Sequence, residues 1–178
     1  MEKSALRGQA QIIVFVLLLL ISLILVFTAV SWGGGISQQN IDVSRVIAAE
    51  NWMKELDRSI QSVVKSGGSA RLNYPFNTPI GLADVDINDY IEMSMPVSID
   101  LPDYWINISI SGEPGLIRER KDAGELKLRL SYPLRPGFAI DLFTDGPQIA
   151  TPKAVLIEHN STFQNSTITI VKIKLSFI

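Results

Sequence analysis

The hydrophobic pattern of the chain changes character twice. Residues 12–32, IIVFVLLLLISLILVFTAVSW, carry no charge, and sixteen of these 21 residues are Leu, Ile, Val or Phe. The segment has no polar face, so a helix built from it must be surrounded by lipid or by similar helices. At about 1.5 Å per residue it is long enough to cross a hydrocarbon core of roughly 30 Å. Each Leu, Ile, Val or Phe favours the bilayer by roughly 0.3–0.6 kcal/mol, so insertion gains on the order of 5–10 kcal/mol and outweighs Ser22, Thr28 and Ser31.

From residue 41 to 65 apolar positions recur at helical spacing: Val46, Ala49, Met53, Leu56, Ile60 and Val63. Glu50 and Lys54 form an i,i+4 pair on the wet side, and Asn40 or Asp42 can cap the start. Ser66-Gly67-Gly68-Ser69 predicts the end. Between the two segments lie Gly33, Gly34 and Gly35, which predict a helix terminator and a hinge, with Trp32 placed as an interfacial aromatic. The expectation is thus two helices, the second amphipathic and packed on a sheet formed by the rest of the chain.

Beyond Ser69 the period becomes two. Ile91, Met93, Met95, Val97 and Ile99 alternate with polar residues or Pro96. So do Tyr104, Ile106, Ile108 and Ile110, and Leu126, Leu128, Leu130 and Tyr132. Such alternation predicts half-buried antiparallel strands. Pro96 predicts an edge strand or a bulge. Further strands are expected at 138–143, 154–158 and 166–177, the last with a bulge or bend between Ile170 and Val171. Turns are signalled by Pro114-Gly115, Pro136-Gly137 and Gly146-Pro147, and residues 118–124 read as a charged hairpin tip or loop. The predicted class is α+β: a long N-terminal hydrophobic helix, a second amphipathic helix, and a sandwich-like head of about seven strands over 70–178.

Charge orients this arrangement. Lys3 and Arg7 precede the apolar run, which places the N-terminus in the cytoplasm and the head outside the cell. The chain has 178 residues, net charge −2 and no cysteine. Disulfides and thiolate metal sites are therefore excluded. No basic run exceeds two residues, which argues against nucleic acid as a partner. An ordinary secretory signal has a shorter apolar core and a small-x-small cleavage site, whereas Val30-Ser31-Trp32 is a poor one.

Arg7-Gly8-Gln9-Ala10-Gln11, set directly against the apolar run, resembles the class III signal of archaeal type IV pilin-like proteins. A similar opening precedes the apolar helix of bacterial tight-adherence minor pseudopilins. The resemblance covers about the first 32 residues. It implies cleavage by a prepilin peptidase between Gly8 and Gln9, with the apolar helix retained to pack against copies of itself or other pilin-like subunits. Gly suits such a site because an extended backbone without a side chain enters a narrow cleft. Many pilins carry Glu at the fifth mature position, where this chain has Ile13, and their helix runs unbroken into the head. The first departure fits a minor or pseudopilin-like component. The expected division is a leader over 1–8, the membrane or filament helix with its glycine hinge over 9–35, the amphipathic helix over 36–69, and the head. The alternative is an uncleaved signal anchor bearing a surface binding or adhesion domain.

Little in the head suggests reaction chemistry. Asn107, Asn160 and Asn165 head N-x-S/T sequons suited to glycosylation of an outward domain. Asp84, Asp86 and Asn88 open like a calcium loop, but an EF-hand needs Gly at Asp89 and Glu at Met95, so they are weak metal candidates. His159 is the sole histidine, and adjacent strand residues point to opposite faces, so it does not pair readily with Glu158. There is no nucleophile elbow, no P-loop, and no cofactor or catalytic residue to nominate. The expected role is structural, not enzymatic, in a type IV pilus-like surface filament or its assembly machinery.

Overall fold

The structure, a computed structural model, describes residues 2–83, 89–109 and 114–178, with side chains from Ile12 onward. It resolves into two compact units, residues 1–42 and 43–178.

One helix, α1 (Glu2–Ser66), replaces the two that the pattern predicts. Gly33, Gly34 and Gly35 lie inside it, and neither Asn40 nor Asp42 caps a new helix. Each glycine costs about 1 kcal/mol relative to Ala. A break would strand up to eight backbone polar groups and require a second nucleation, which is costlier, most of all near lipid. Polar side chains reinforce the continuation: Gln38 Nε2 donates to Asp42 Oδ1 at 3.1 Å, one turn on. The predicted C-terminus is correct. Gly67 takes a left-handed φ of +69° and its N–H reaches the Val63 carbonyl at 2.9 Å, closing the last turn.

Among the described residues ten strands come after the helix, in two sheets: β1 (Ser69–Asn73), β2 (Ile80–Ala83), β3 (Tyr90–Pro96), β4 (Ile106–Asn107), β5 (Leu116–Asp122), β6 (Glu125–Ser131), β7 (Phe138–Phe143), β8 (Ile149–Ala150), β9 (Ala154–Gln164) and β10 (Thr169–Phe177). The first sheet has the order β1-β9-β10-β7 and the second β4-β5-β6-β3-β2-β8. Pairing is antiparallel except between β10 and β7.

Several local expectations are corrected. Residues 118–122 belong to β5, and only the tip is a turn, where Ala123 and Gly124 adopt positive φ. The charged residues imitate a loop because a strand with one wet face tolerates them at alternate positions. Of the strand expected over 104–110, Ile106–Asn107 form β4, Tyr104 is exposed, and Ile110 lies outside the described residues. β3 is interior, not an edge. Pro96 is its last residue, beyond the reach of β2, whose pairing stops at Met93, so no hydrogen bond to β2 is lost. The bulge near the C-terminus lies not at Ile170–Val171 but where Lys172 pairs Ser161 and Ile173 pairs His159, which makes Asn160 of β9 the extra residue. Ile170 merely occupies the opposite face from Val171, Ile173 and Leu175.

A single hydrophobic cluster joins the α1 stripe Val46, Ala49, Met53, Leu56, Ile60 and Val63 to residues of both sheets, among them Ile91, Leu128 and Ile117 of one and Ile157, Ile173 and Leu142 of the other. Trp52 is also buried there. Its Nε1 donates to the Asn73 carbonyl at 2.8 Å, and its ring meets Tyr74 edge-on at 5.0 Å. Asp57 and Glu119 are among the buried carboxylates of the described residues. Asp57 is fully buried, accepting from Tyr132 Oη at 2.7 Å and Gln61 Nε2 at 2.9 Å.

Glu119 of β5 is 6% exposed and faces Glu50 and Lys54 of α1. Burial raises its pKa above the ordinary 4.5, the Glu50 carboxylate raises it further, and Lys54 opposes. A raised carboxyl pKa means that the folded state holds the proton more tightly than the unfolded chain. The stabilisation is full below 4.5 and is lost as pH rises through the folded value. Glu119→Gln is therefore expected to raise the melting temperature at pH 7 and to leave it little changed near pH 4, as measured by thermal melts across pH. A variant that melts lower than the parent at pH 7 would refute this.

Candidate membrane anchor and surface sites

In the N-terminal unit every Leu, Ile, Val and Phe of residues 12–32 is exposed, from 47% at Ile21 to 75% at Phe27, as is Trp32 at 74%. Burying one such side chain contributes about 1.5–3 kcal/mol, so sixteen exposed together represent roughly 25 kcal/mol or more of unmet burial. No soluble monomer tolerates a continuous apolar surface of that size. The helix is long and apolar enough to span a membrane. Its internal polar groups suit that solvent: Thr28 Oγ1 bonds the Ile24 carbonyl at 2.8 Å, which satisfies the hydroxyl within the helix.

Continuity of α1 changes the inventory of small residues available for helix packing. With the glycines helical, Gly35 joins Thr28 and Ser31 along a shallow groove bordered by Phe27, Trp32 and Gln39. A Cβ added at Gly33, Gly34 or Gly35 would meet nothing within 4 Å. Arg7, Gly8 and Gln9 lie in the helical backbone, and their side chains lie outside the described residues.

The three sequon asparagines are all exposed. Asn160 sits inside β9 at its bulge, and Asn165 in the β9–β10 turn. Asn107 lies on β4 of the other sheet. Asn107 Oδ1 accepts from Ser109 N at 2.9 Å and Asn165 Oδ1 from Thr167 N at 2.8 Å, the local turn chemistry that Asn favours. His159 Nε2 lies 2.9 Å from Thr162 Oγ1. Asp84, Asp86 and Asn88 lie outside the described residues, and no cluster of three His, Asp or Glu fit for a metal occurs among the described ones.

Linear reading misses a cluster on the outward face of the six-stranded sheet. Pairing sets Glu92 of β3, Arg129 of β6 and Arg118 of β5 in one row, and Ser94, Lys127 and Arg120 in the next. Arg129 bonds Glu92, and its guanidinium lies 4.2 Å from the Tyr90 ring and 4.4 Å from Trp105. Arg120 lies 4.8 Å from Trp105 and pairs with Asp122 at 3.1 Å, while Lys127 reaches Asp122 at 2.8 Å. The Lys127 ammonium, with Arg120 beside it, holds the Asp122 carboxyl below the usual range. The period-two recurrence of Arg118 with Arg120 and of Lys127 with Arg129 is the signal that could have found it.

No known protein family, curated protein or solved structure matches the chain.

Proposed function

We propose that this chain is a structural, pilin-like subunit of a type IV pilus-like surface filament or of its assembly machinery. α1 is held in the membrane before assembly and packed among similar helices afterwards. The observation that carries the reading is the wholly exposed apolar surface of residues 12–32 on a helix joined to a well-packed β-rich head. Such a surface needs lipid or other helices, and a head with its own core needs neither. The unbroken passage of α1 into the head removes one of the two departures from the pilin pattern. Ile13 in place of the usual Glu remains and favours a minor or pseudopilin-like subunit.

In this reading the leader Met1–Gly8 is removed by a prepilin peptidase ahead of Gln9, the head faces outward, and Asn160 and Asn165 display glycans on it. Because α1 is helical through this junction, cleavage requires local unwinding, which Gly8 eases. The deciding experiment is mass spectrometry of the mature N-terminus in the native cells, with electron microscopy of sheared filaments. A chain starting at Gln9 and present in filaments is expected. A chain still starting at Met1 and confined to the membrane would instead establish the alternative, a permanently anchored surface binding protein. Gly8→Val is expected to abolish removal of the leader, visible as retention of Met1–Gly8.

A further inference from the structure

The outward face of the six-stranded sheet carries a charge arrangement that folding alone does not favour. Two pairs of cations stand directly opposite each other across β5 and β6: Arg118 with Arg129, and Arg120 with Lys127. Like charges in such positions destabilise a sheet. Against these four cations the same face supplies Glu92, Asp122 at the end of β5 and Glu125 opposite it, so among the described residues the patch keeps a surplus of one positive charge on a chain whose net charge is −2. Arg118 forms no ion pair among the described residues, and the Nε atoms of Arg118 and Arg120 are buried without a hydrogen-bond partner. Trp105 and Tyr90 both lie against the guanidinium of Arg129, which limits its freedom before any ligand arrives.

The patch continues into a concave site. Beside Tyr90, Glu92 and Ser94 a groove of about 330 Å³ opens over β2, walled by Gln148 and Ile149. Its floor includes Gly81, where a Cβ would lie 2.6 Å from the Gln148 carbonyl. One paired row, Gly81, Glu92, Arg129, Arg118 and Asn107, runs from this groove across the sheet. Neighbouring strands are about 4.8 Å apart, so the row extends roughly 19 Å.

We propose that this face binds a linear acidic polysaccharide, with sugar carboxylates on the arginine row and a sugar ring in the groove beside Tyr90. Arginine forks match carboxylates in two parallel hydrogen bonds, and the surplus charge supplies the complementarity. Nucleic acid fits less well, because four cations offset by three anions make a short footprint for a polyphosphate and the rings that could stack on bases are occupied by arginine. The assignment does not depend on whether the leader is cleaved.

The test uses the full chain in a non-ionic detergent, titrated with polygalacturonate, with dextran of similar size, and with oligodeoxythymidylate. Polygalacturonate is expected to bind and to weaken as salt rises, with neither of the others binding comparably. Arg118→Gln with Arg120→Gln should lower affinity about tenfold or more, a loss of about 1.4 kcal/mol or more. Lysine at both positions should retain part of the binding. Asp122→Asn, which enlarges the surplus, should tighten it, and this holds the proposal to account should the double glutamine variant fail to fold. Equal binding of dextran, stronger binding of the oligonucleotide, or indifference to Arg118, Arg120 and Asp122 would each overturn it.

Discussion

Leu19→Arg combined with Leu23→Arg is expected to release most of the chain from alkaline-washed membranes. Both leucines lie one turn apart in the exposed apolar helix, and neither belongs to the core of the head. An arginine near the centre of a spanning helix costs about 2.5–3.5 kcal/mol by insertion measurements, so two remove roughly 5–7 kcal/mol from a gain of on the order of 5–10 kcal/mol. The lost leucine contributions widen the deficit. The conservative pair Leu19→Ile and Leu23→Ile should remain in the pellet. The head of the arginine variant should melt as the parent does, because its core starts at Val46. Retention of the double arginine variant in washed membranes would mean that something other than this helix anchors the chain.

The second large effect belongs to the head. Gly115→Ala is expected to destabilise it by about 2–4 kcal/mol in denaturant unfolding, combining overpacking with a disturbed buried hydrogen bond. A Cβ at position 115 would stand 2.7 Å from Asp57 Oδ2 and nearer still to Oδ1. The carboxylate cannot swing aside freely, since Tyr132 and Gln61 hold it and it is fully buried. Asp57→Ala alone should also destabilise, because the buried Tyr132 hydroxyl loses its acceptor. The double variant should be less damaged than the sum of the singles, because removing the carboxylate clears the space that the new methyl group needs. Strict additivity would show that glycine is required at 115 for some reason other than Asp57.

Much of the head is legible in the chain because burial imposes a period. The stripe from Val46 to Val63 is buried at every position that the spacing nominates, and Leu126, Leu128 and Leu130 face inward on β6 as their alternation requires. A helix or strand with one dry face cannot avoid displaying this pattern. The end of α1 at Gly67 is legible as well, because a left-handed residue is needed there and glycine supplies it without strain.

What local pattern cannot convey is competition between alternatives. The three glycines announce a break, yet continuing the helix satisfies backbone groups that a break would leave unpaired. The charged stretch of β5 resembles a loop until β6 lies beside it and the outward positions prove to be solvated. Short strands such as β1 and β2 carry too few residues to display a period, and their partners, β9 and β3, come later in the sequence. The parallel pairing of β7 with β10 joins segments separated by β8 and β9 and has no local signature.

Sequence by itself determined that a continuous apolar segment needs lipid or helices around it, because no arrangement of the remaining residues changes the cost of sixteen large apolar side chains in water. It determined equally which sides of the later elements turn inward. Tertiary structure alone decided that α1 is one helix from Glu2 to Ser66, that Glu119 and Asp57 are carboxylates set within the core, and that Arg118, Arg120, Lys127 and Arg129 share one surface. The reason is physical. Transfer from water is a property of a residue and its near neighbours along the chain, whereas the meeting of charges depends on strand register, fixed by contacts between distant segments.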